Sequence, residues 1–324
     1  MKIRDSIILS ILLPIIFFAI PISLSRAKSR GGGEAEAYQK KGIELMDASH
    51  FDLAAAEFSK AITVAPKDVR GYHNRGAAYL AGAKAAEANR DTAGAAERYT
   101  SAVTDFSKEI ELAPNEEGGY LGRGQTEVLL KQYDTALADL DKALELKADD
   151  GVALKFRGFA KIGLSQWDKA VVDFTSAIQK DPNDPINYDR RAWAYRNLKN
   201  YEAAVADYSV VLEKNPNDAE TFAKRGYTYS FMAQYEKAIA DYQAALKLKP
   251  EDNDTFQRLQ YAQGQLAAKN APPPTATPTP TPAPPGLITP VNIVIAVIVL
   301  LIIAVIVRLV TRGKPDTISS SRIR

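Results

Sequence analysis

The sequence predicts an all-α fold in which antiparallel helix pairs stack side by side into a solenoid. Three observations support this prediction: a repeat of 34 residues runs through most of the chain, each repeat has two segments with helical spacing of apolar residues, and proline follows nearly every second segment. A unit of this length cannot bury its own apolar faces, so neighbouring units must stack. The stack is expected to form a superhelix with a concave surface.

The repeat is visible at three positions of each unit. A basic residue precedes a small one in the first helix, at Lys41-Gly42, Arg75-Gly76, Arg123-Gly124, Arg157-Gly158, Arg191-Ala192 and Arg225-Gly226. Alanine and, four residues later, a large apolar residue mark the second helix, at Ala54 and Phe58, Ala102 and Phe106, Ala136 and Leu140, Ala170 and Phe174, Ala204 and Tyr208, and Ala238 and Tyr242. The units close with Pro66, Pro114, Pro182, Pro216 and Pro250, with Ala148 in the third unit.

The fifth unit shows how one repeat forms two helices. Tyr188, Ala192 and Tyr195 lie at i, i+4 and i+7 and form a single stripe on the first helix. Ala204 and Tyr208 repeat the four-residue spacing on the second helix, where the small alanine lets the backbones approach closely. Both stripes are therefore predicted to face the core.

This pattern resembles the tetratricopeptide-repeat family, in which an aromatic, a small residue, tyrosine, alanine, an aromatic and proline recur over 34 residues. The resemblance covers six units, at 35–68, 69–116, 117–150, 151–184, 185–218 and 219–252. Glu127 and Lys161 depart from it, because the family usually has tyrosine there. The resemblance implies a right-handed superhelical solenoid whose concave groove binds a protein or peptide partner.

The second unit has 48 residues, 14 more than its neighbours. The added material, near residues 81–94, is rich in alanine, and seven residues added to each helix would lengthen both by about 10 Å. We expect a protruding helical hairpin here, with a disordered insertion as the alternative. After the last unit, residues 253–269 are expected to form a capping helix in which Phe256 and Tyr261 cover the sixth unit.

Strongly apolar segments lie at both ends of the chain. Residues 1–27 predict a signal peptide or, alternatively, an uncleaved N-terminal signal anchor, and a glycine-rich linker follows at 28–34. Residues 287–309 are long enough to span a bilayer of about 30 Å and predict a transmembrane helix. Between the repeats and this segment, residues 270–286 contain eight prolines and predict an extended spacer, with a ligand for proline-binding domains as the alternative.

The distribution of basic residues predicts the membrane topology. No lysine or arginine lies between Lys269 and the second apolar segment, whereas five follow its apolar core, so the tail 310–324 is expected to be cytoplasmic. The repeats would then be extracytoplasmic, at the cell membrane. Arg26, Lys28 and Arg30 conflict with this topology, because they flank the first apolar segment on the side placed outside.

Trp193 lies only two residues from Tyr195, and two side chains at this spacing cannot share one face of a helix. Trp193 occupies the ninth position of its unit, on the face that lines the concave groove in the resembling family. Phe159 and Tyr227 occupy the same position in the flanking units, so we expect an aromatic strip that anchors a peptide or helix. Packing of these rings against the preceding unit is the alternative. Polar residues on the same face are Arg70, His73, Lys155, Asp189, Arg196 and Glu220.

A second row of residues places a base on the first helix and an acid on the second helix of every unit. The pairs are Lys41 with Glu57, Arg75 with Asp105, Arg123 with Asp139, Arg157 with Asp173, Arg191 with Asp207, and Arg225 with Asp241. We interpret them as ion pairs that support the structure rather than as a ligand site.

Composition and motifs exclude several classes of function. Cysteine is absent, so the chain has no disulfide and no thiolate metal site. Neither a phosphate-binding loop nor a recognised nucleophile or metal motif occurs, and we predict no cofactor and no enzymatic activity. Residues 35–269 contain 31 basic and 36 acidic side chains, which disfavours nucleic acid as a partner.

Together these features predict a membrane-anchored scaffold or adaptor that binds a protein or peptide segment in its groove. Two alternatives remain: a self-assembling structural component of an envelope complex, and a cytoplasmic-facing recruiting platform with inverted topology. The sequence leaves the oligomeric state open.

Overall fold

The computed structural model describes residues 32–271 and 290–311 of the chain. These residues form α-helices and no strands, in agreement with the predicted fold class. The helices are α1 Gly32–Asp47, α2 Phe51–Val64, α3 Val69–Ala88, α4 Thr92–Leu112, α5 Glu117–Leu129, α6 Tyr133–Leu146, α7 Gly151–Gly163, α8 Trp167–Lys180, α9 Pro185–Asn197, α10 Tyr201–Lys214, α11 Ala219–Phe231, α12 Tyr235–Leu248, α13 Asn253–Asn270 and α14 Pro290–Thr311.

Helices α1 to α12 form six consecutive pairs, and the second helix of each pair packs on the first helix of the next pair. The first helices α1, α3, α5, α7 and α9 also contact one another in sequence, whereas no such contact joins the second helices of the described chain. The first helices therefore lie closer together and form the inner, concave row. The predicted signal segment 1–27, most of the spacer 270–286 and most of the tail 310–324 lie outside the described residues.

The core of each pair is built from a small residue on the first helix and a large one on the second. A Cβ atom added to Gly158 would lie 2.8 Å from Cζ of Phe174, so this ring leaves no room for a side chain. In the fifth unit Ala192 takes the same position and packs with Ala204 and Tyr208, and Tyr195 packs partly buried against them. The stripes predicted for the fifth unit thus meet in the core.

The second unit carries its additional residues in both helices. Helix α3 has 20 residues and α4 has 21, against 13 and 14 in the third unit. Arg98 of α4 forms an ion pair with Asp52 of the first unit at 2.8 Å, and Leu129 and Leu130 of the third unit pack against the buried residues of this hairpin. The extension is therefore held between its neighbours, and only its tip, residues 87–93, is exposed throughout.

Helix α13 packs on the sixth unit with a different face from the one expected. Phe256 is 48% exposed and Tyr261 is 60% exposed, so they do not cover the sixth unit. Thr255 and Ala262 are buried instead, and Leu259 packs against the core of α12. The buried positions follow the 34-residue register of the preceding first helices, since Thr221 and Thr228 are buried 34 residues earlier.

Candidate protein-binding groove

We define the groove as the inner face of α7, α9, α11 and α13, where the three predicted aromatic residues lie. Phe159, Trp193 and Tyr227 are all half-buried rather than fully exposed. The ring of Phe159 lies 5.7 Å from that of Phe156 and 5.6 Å from that of Phe174. One side of this ring therefore belongs to the core of the fourth unit.

Trp193 packs against the unit that precedes its own. Its ring lies 5.1 Å from the ring of Trp167 at an interplanar angle of 80°, an edge-to-face contact that is favourable for aromatic pairs. Trp167 is the first residue of α8, in the fourth unit. The alternative considered from the sequence, packing on the preceding unit, thus accounts for part of the Trp193 surface.

Tyr227 belongs to a cluster of three rings. Its ring lies 4.7 Å from that of Phe231, and Phe231 stacks on Tyr201 at 5.4 Å with nearly parallel planes. Phe231 is 52% exposed, so it is the accessible ring of this cluster, whereas Tyr201 and Tyr227 are half-buried. Sequence reasoning did not identify Phe231 or Tyr201 as groove residues.

A repeated feature of the sequence would have indicated these contacts. The first residue of the second helix is aromatic in five of the six pairs, at Phe51, Tyr133, Trp167, Tyr201 and Tyr235. This position places a large ring beside the end of the first helix of the next unit, as Trp167 and Tyr201 show.

Arginine side chains lie over the groove rings. The guanidinium carbon of Arg190 is 5.5 Å from the ring centroid of Phe159, and that of Arg196 is 5.3 Å from the centroid of Tyr227. Arg258 of α13 lies over the same tyrosine at 4.1 Å. Cations at these distances are attracted by the ring quadrupole. The groove surface is consequently a mixture of aromatic edges and guanidinium groups, not a continuous aromatic strip.

Other predicted polar residues are neutralised by neighbours. Lys155 Nζ lies 3.0 Å from Asp184, and Asp189 accepts a 2.8 Å hydrogen bond from Lys224. Lys224 also pairs with Glu220 at 2.9 Å. These contacts join α7 to the start of α9 and α9 to α11, so they support the register of the inner row.

Arg70 and His73 lie in the second unit, whereas Phe159, Trp193 and Tyr227 lie in the fourth, fifth and sixth units. Arg70 pairs with Asp68 at 2.7 Å and with Glu36 of the first unit at 3.2 Å. His73 Nδ1 lies 3.0 Å from the buried carboxylate of Glu109. Burial would lower the pKa of His73, but the hydrogen bond to Glu109 and the negative charges of Glu109 and Glu117 outweigh it, and the pKa is raised.

Lys84, in the extended part of α3, is a further inner cation. Burial and the positive charge of Lys155 lower its pKa to about 8. Sequence reasoning did not identify this residue, because Lys155, whose charge acts on it, lies two units further along the chain.

The predicted ladder of ion pairs is present in five of the six units. Arg191 donates to both carboxylate oxygens of Asp207 at 2.8 Å and to Thr175 of the preceding unit at 3.1 Å. Arg75, Arg123, Arg157 and Arg225 make the same two-pronged contact with their acids and a further bond to Ser59, Ser107, Asp141 and Ser209 of the preceding unit.

The prediction was wrong for the first unit. Lys41 pairs with Glu44 at 3.5 Å, and Glu57 pairs with Lys60 at 2.7 Å, each within its own helix. Lysine lacks the planar fork that lets arginine bind a carboxylate with two parallel bonds, and no earlier second helix is available to Lys41 among the described residues.

Helix α14 contains the candidate membrane span. Val291–Leu309 comprises 19 residues with a mean hydropathy of 3.1, and none of it is buried within the structure. This helix is long and apolar enough to cross a membrane.

Comparison with protein-family models identifies tetratricopeptide repeats at residues 118–150, 188–218 and 219–252. No curated protein matches the chain significantly. Many solved structures share its fold. The APC/C hetero-tetramer Cut9–Hcn1 matches with a TM-score of 0.57 and 20% identity over 70% of this chain, which corresponds to 42% of that chain.

Two further solenoids match over nearly their whole length. Pseudomonas aeruginosa pilF matches with a TM-score of 0.57 and 14% identity, covering 73% of this chain and 100% of that one. YrrB, described as a TPR protein with an unusual peptide-binding site, matches with a TM-score of 0.50 and 22% identity, covering 64% and 97%. This chain therefore contains tetratricopeptide repeats and has the fold of a tetratricopeptide-repeat solenoid.

Proposed function

We propose that this protein is a membrane-anchored scaffold that binds a segment of a partner protein in the groove of α7, α9, α11 and α13. The observation that carries the proposal is the group of accessible rings at the end of the groove, with Phe231 stacked on Tyr201 and in contact with Tyr227. Aromatic residues of this kind are the usual anchors of protein interfaces. Ion pairs between the first helices hold the backbone on which these rings are mounted.

Val291–Leu309 supplies the membrane anchor in this proposal, and the repeats lie on the extracytoplasmic side. The apolar length of the span and the basic residues that follow it support this arrangement. The scaffold would then hold its partner at the cell membrane.

Site-specific photo-crosslinking in intact cells tests the groove. A photoreactive phenylalanine analogue replaces Phe231 in the full chain, and the control replaces Val172 of α8, which is similarly exposed at 63%. We expect a discrete protein adduct from position 231 and none from position 172. The Trp193→Ala/Tyr227→Ala double variant should abolish the adduct while circular dichroism shows an intact fold. Equal adducts at both positions, or adducts unaffected by the double variant, would place the binding surface elsewhere.

The absence of cysteine from the chain allows a direct test of topology. Lys142→Cys in α6 and Ser319→Cys in the tail are labelled separately in intact cells with a maleimide that does not cross membranes. We expect labelling at position 142 only. Labelling at position 319 only would establish the inverted topology, with the repeats in the cytoplasm.

A further inference from the structure

The groove contains an arginine that lies over an aromatic ring but has no carboxylate partner. Arg196 is half-buried on the inner face of α9, with its guanidinium over Tyr227. Within residues 32–271 and 290–311, no carboxylate oxygen lies within 4.0 Å of this guanidinium. A partly buried cation normally has an opposite charge close by, because desolvation is otherwise costly.

Arg190, six residues earlier on α9, also lacks a complete ion pair with a carboxylate. Its Nε lies 3.6 Å from Oδ2 of the adjacent Asp189, beyond hydrogen-bonding distance, and this nitrogen is buried without a hydrogen-bond partner. The other oxygen of Asp189 accepts the 2.8 Å hydrogen bond from Lys224. Lys224 and Arg190 therefore share the Asp189 carboxylate, and the contact with Lys224 is the shorter of the two.

A buried hydroxyl group lies among the same side chains. Tyr208 is fully buried, its Oη has no hydrogen-bond partner, and the charges of Arg196, Asp189 and Arg190 act on it. Burial raises the pKa of Tyr208, so the hydroxyl keeps its proton and remains a donor. Within the described part of the chain, Arg190 Nε and the Tyr208 hydroxyl thus lack hydrogen-bond acceptors, and the Arg196 guanidinium lacks a carboxylate.

We propose that this part of the groove binds a partner segment carrying two side-chain carboxylates, one on Arg196 and one on Arg190. The inference rests on the proposed function and specifies the chemistry of the bound segment. Guanidinium groups bind carboxylates through two parallel hydrogen bonds, and the aromatic rings beneath them hold the groups in place.

The spacing of the two arginines specifies the spacing of the acids. Six residues of helix separate their Cα atoms by about 9 Å along the axis. The two guanidinium groups lie over rings of different helices, Phe159 of α7 and Tyr227 of α11, so we expect the acids to be at least this far apart. An extended segment advances about 3.3 Å per residue, so the acids should lie three or more positions apart. The 31 basic and 36 acidic side chains of residues 35–269 give the solenoid a net negative charge, which favours a short acidic segment over a polyanion such as nucleic acid.

Fluorescence anisotropy with the full chain in detergent micelles tests this proposal. The probes are labelled, C-terminally amidated dodecapeptides of alanine, glutamine and one phenylalanine, carrying two glutamates two to five positions apart. Matched probes have glutamine in place of both glutamates, and a further glutamine probe has a free C-terminal carboxylate. We expect the strongest binding with glutamates three or more positions apart, weaker binding with glutamates two positions apart, and at least tenfold weaker binding of both glutamine probes.

Three variants locate the site. Arg196→Gln and Arg190→Gln should each weaken binding of the best glutamate probe by about tenfold or more, because each removes a charge-assisted contact. Lys142→Gln, which removes a positive charge from the exposed surface of α6, should leave it unchanged. Circular dichroism establishes that all three variants are folded.

The outcomes separate this inference from the proposed function. Equal binding of glutamate and glutamine probes, preference for the free C-terminal carboxylate, no binding of any acidic probe, or binding unaffected by both arginine variants would each overturn the inference. In all of these cases a partner adduct at position 231 would leave the groove as the binding surface. The absence of that adduct would remove the proposed function as well.

Discussion

Helix α9 carries three arginines within seven residues, and they belong to two different surfaces. Arg191 faces the second helices, where Asp207 and Thr175 satisfy its guanidinium. Arg190 and Arg196 face the groove, where they lie over Phe159 and Tyr227. Among the described residues, Arg196 has no carboxylate within 4.0 Å, and Arg190 has only the shared carboxylate of Asp189, at 3.6 Å. The comparison shows that arginine supports the fold on one face of this helix, whereas on the other face it forms the proposed carboxylate site.

Removal of a ladder arginine should give the largest effect on stability. Arg191→Ala leaves the buried carboxylate of Asp207 without its partner and removes the bond to the fourth unit, and we expect it to lower the free energy of unfolding by about 3 kcal/mol. Urea denaturation followed by circular dichroism measures the change. Lys41→Ala is the matched control, because Lys41 makes only an exposed contact within its own helix, and we expect a change below about 0.5 kcal/mol. Equal effects of the two changes would show that the ladder does not support the fold.

Replacement of Lys84 should change the free energy of unfolding in the opposite direction, since this inner cation has no ion-pair partner among residues 32–271 and 290–311. Burial and Lys155 lower its pKa to about 8 from an ordinary 10.5. Below pH 8 the folded state therefore carries an unfavourable charge, and this cost disappears as the pH rises from about 8 to 10.5. Lys84→Met should raise the free energy of unfolding at pH 7 by on the order of 1–2 kcal/mol.

The pH dependence provides the control for this prediction. The difference between Lys84→Met and the unaltered chain should shrink between about pH 8 and 10.5, as measured by thermal melts across this range. A destabilising effect at pH 7, or a difference independent of pH, would mean that Lys84 is well solvated or paired.

The fold follows from the sequence because its determinants are local and repeated. The spacing of Tyr188, Ala192 and Tyr195 indicates a helix and its buried face, and the 34-residue period indicates how many such helices stack. The ladder of ion pairs can also be predicted from the sequence, since the acid and the base of each pair lie at fixed positions of one unit. Its failure at Lys41 is physical, because the ladder needs arginine and an acceptor from a preceding unit.

The candidate site was predicted less completely, because its contacts join different units. The helical position of Trp193 places it on the inner face, but only the stacking of units shows that Trp167 covers part of its ring. Likewise, Arg258 reaches Tyr227 from a helix that lies outside the six units. The prediction that Phe256 and Tyr261 cover the sixth unit was wrong for a different reason. It rested on their aromatic side chains, whereas the 34-residue register places Thr255 and Ala262 at the buried positions.

His73 provides a test of the opposite end of the inner row. Its pKa is raised because the hydrogen bond to Glu109 and the charges of Glu109 and Glu117 outweigh burial. The stabilising contribution of this pair is therefore complete below about pH 6.5 and is lost as the pH rises through the raised pKa of the folded state. His73→Gln should be most destabilising in mildly acidic buffer, and the difference from the unaltered chain should decrease toward alkaline pH.

Thermal melts at closely spaced pH values measure this decrease. His50→Gln, which replaces the other histidine of the chain and leaves the contact with Glu109 intact, is the matched control. A constant effect of His73→Gln across the range would mean that the pair with Glu109 acts through a neutral hydrogen bond.

Arg196→Gln should give the smallest effect on stability, and this result would sharpen the comparison with Arg191. The change removes a cation–ring contact worth about 0.5–1 kcal/mol at a partly exposed site, but it also removes the cost of keeping a charge half-buried without a carboxylate. These contributions oppose each other, so we expect the free energy of unfolding to change by less than about 0.5 kcal/mol in the same urea denaturation. A loss comparable to that of Arg191→Ala would show that Arg196 supports the fold, and it would then be a poor candidate for holding a partner's carboxylate. A nearly unchanged free energy of unfolding, combined with at least tenfold weaker binding of the acidic peptide, would instead establish that Arg191 stabilises the fold whereas Arg196 binds the partner.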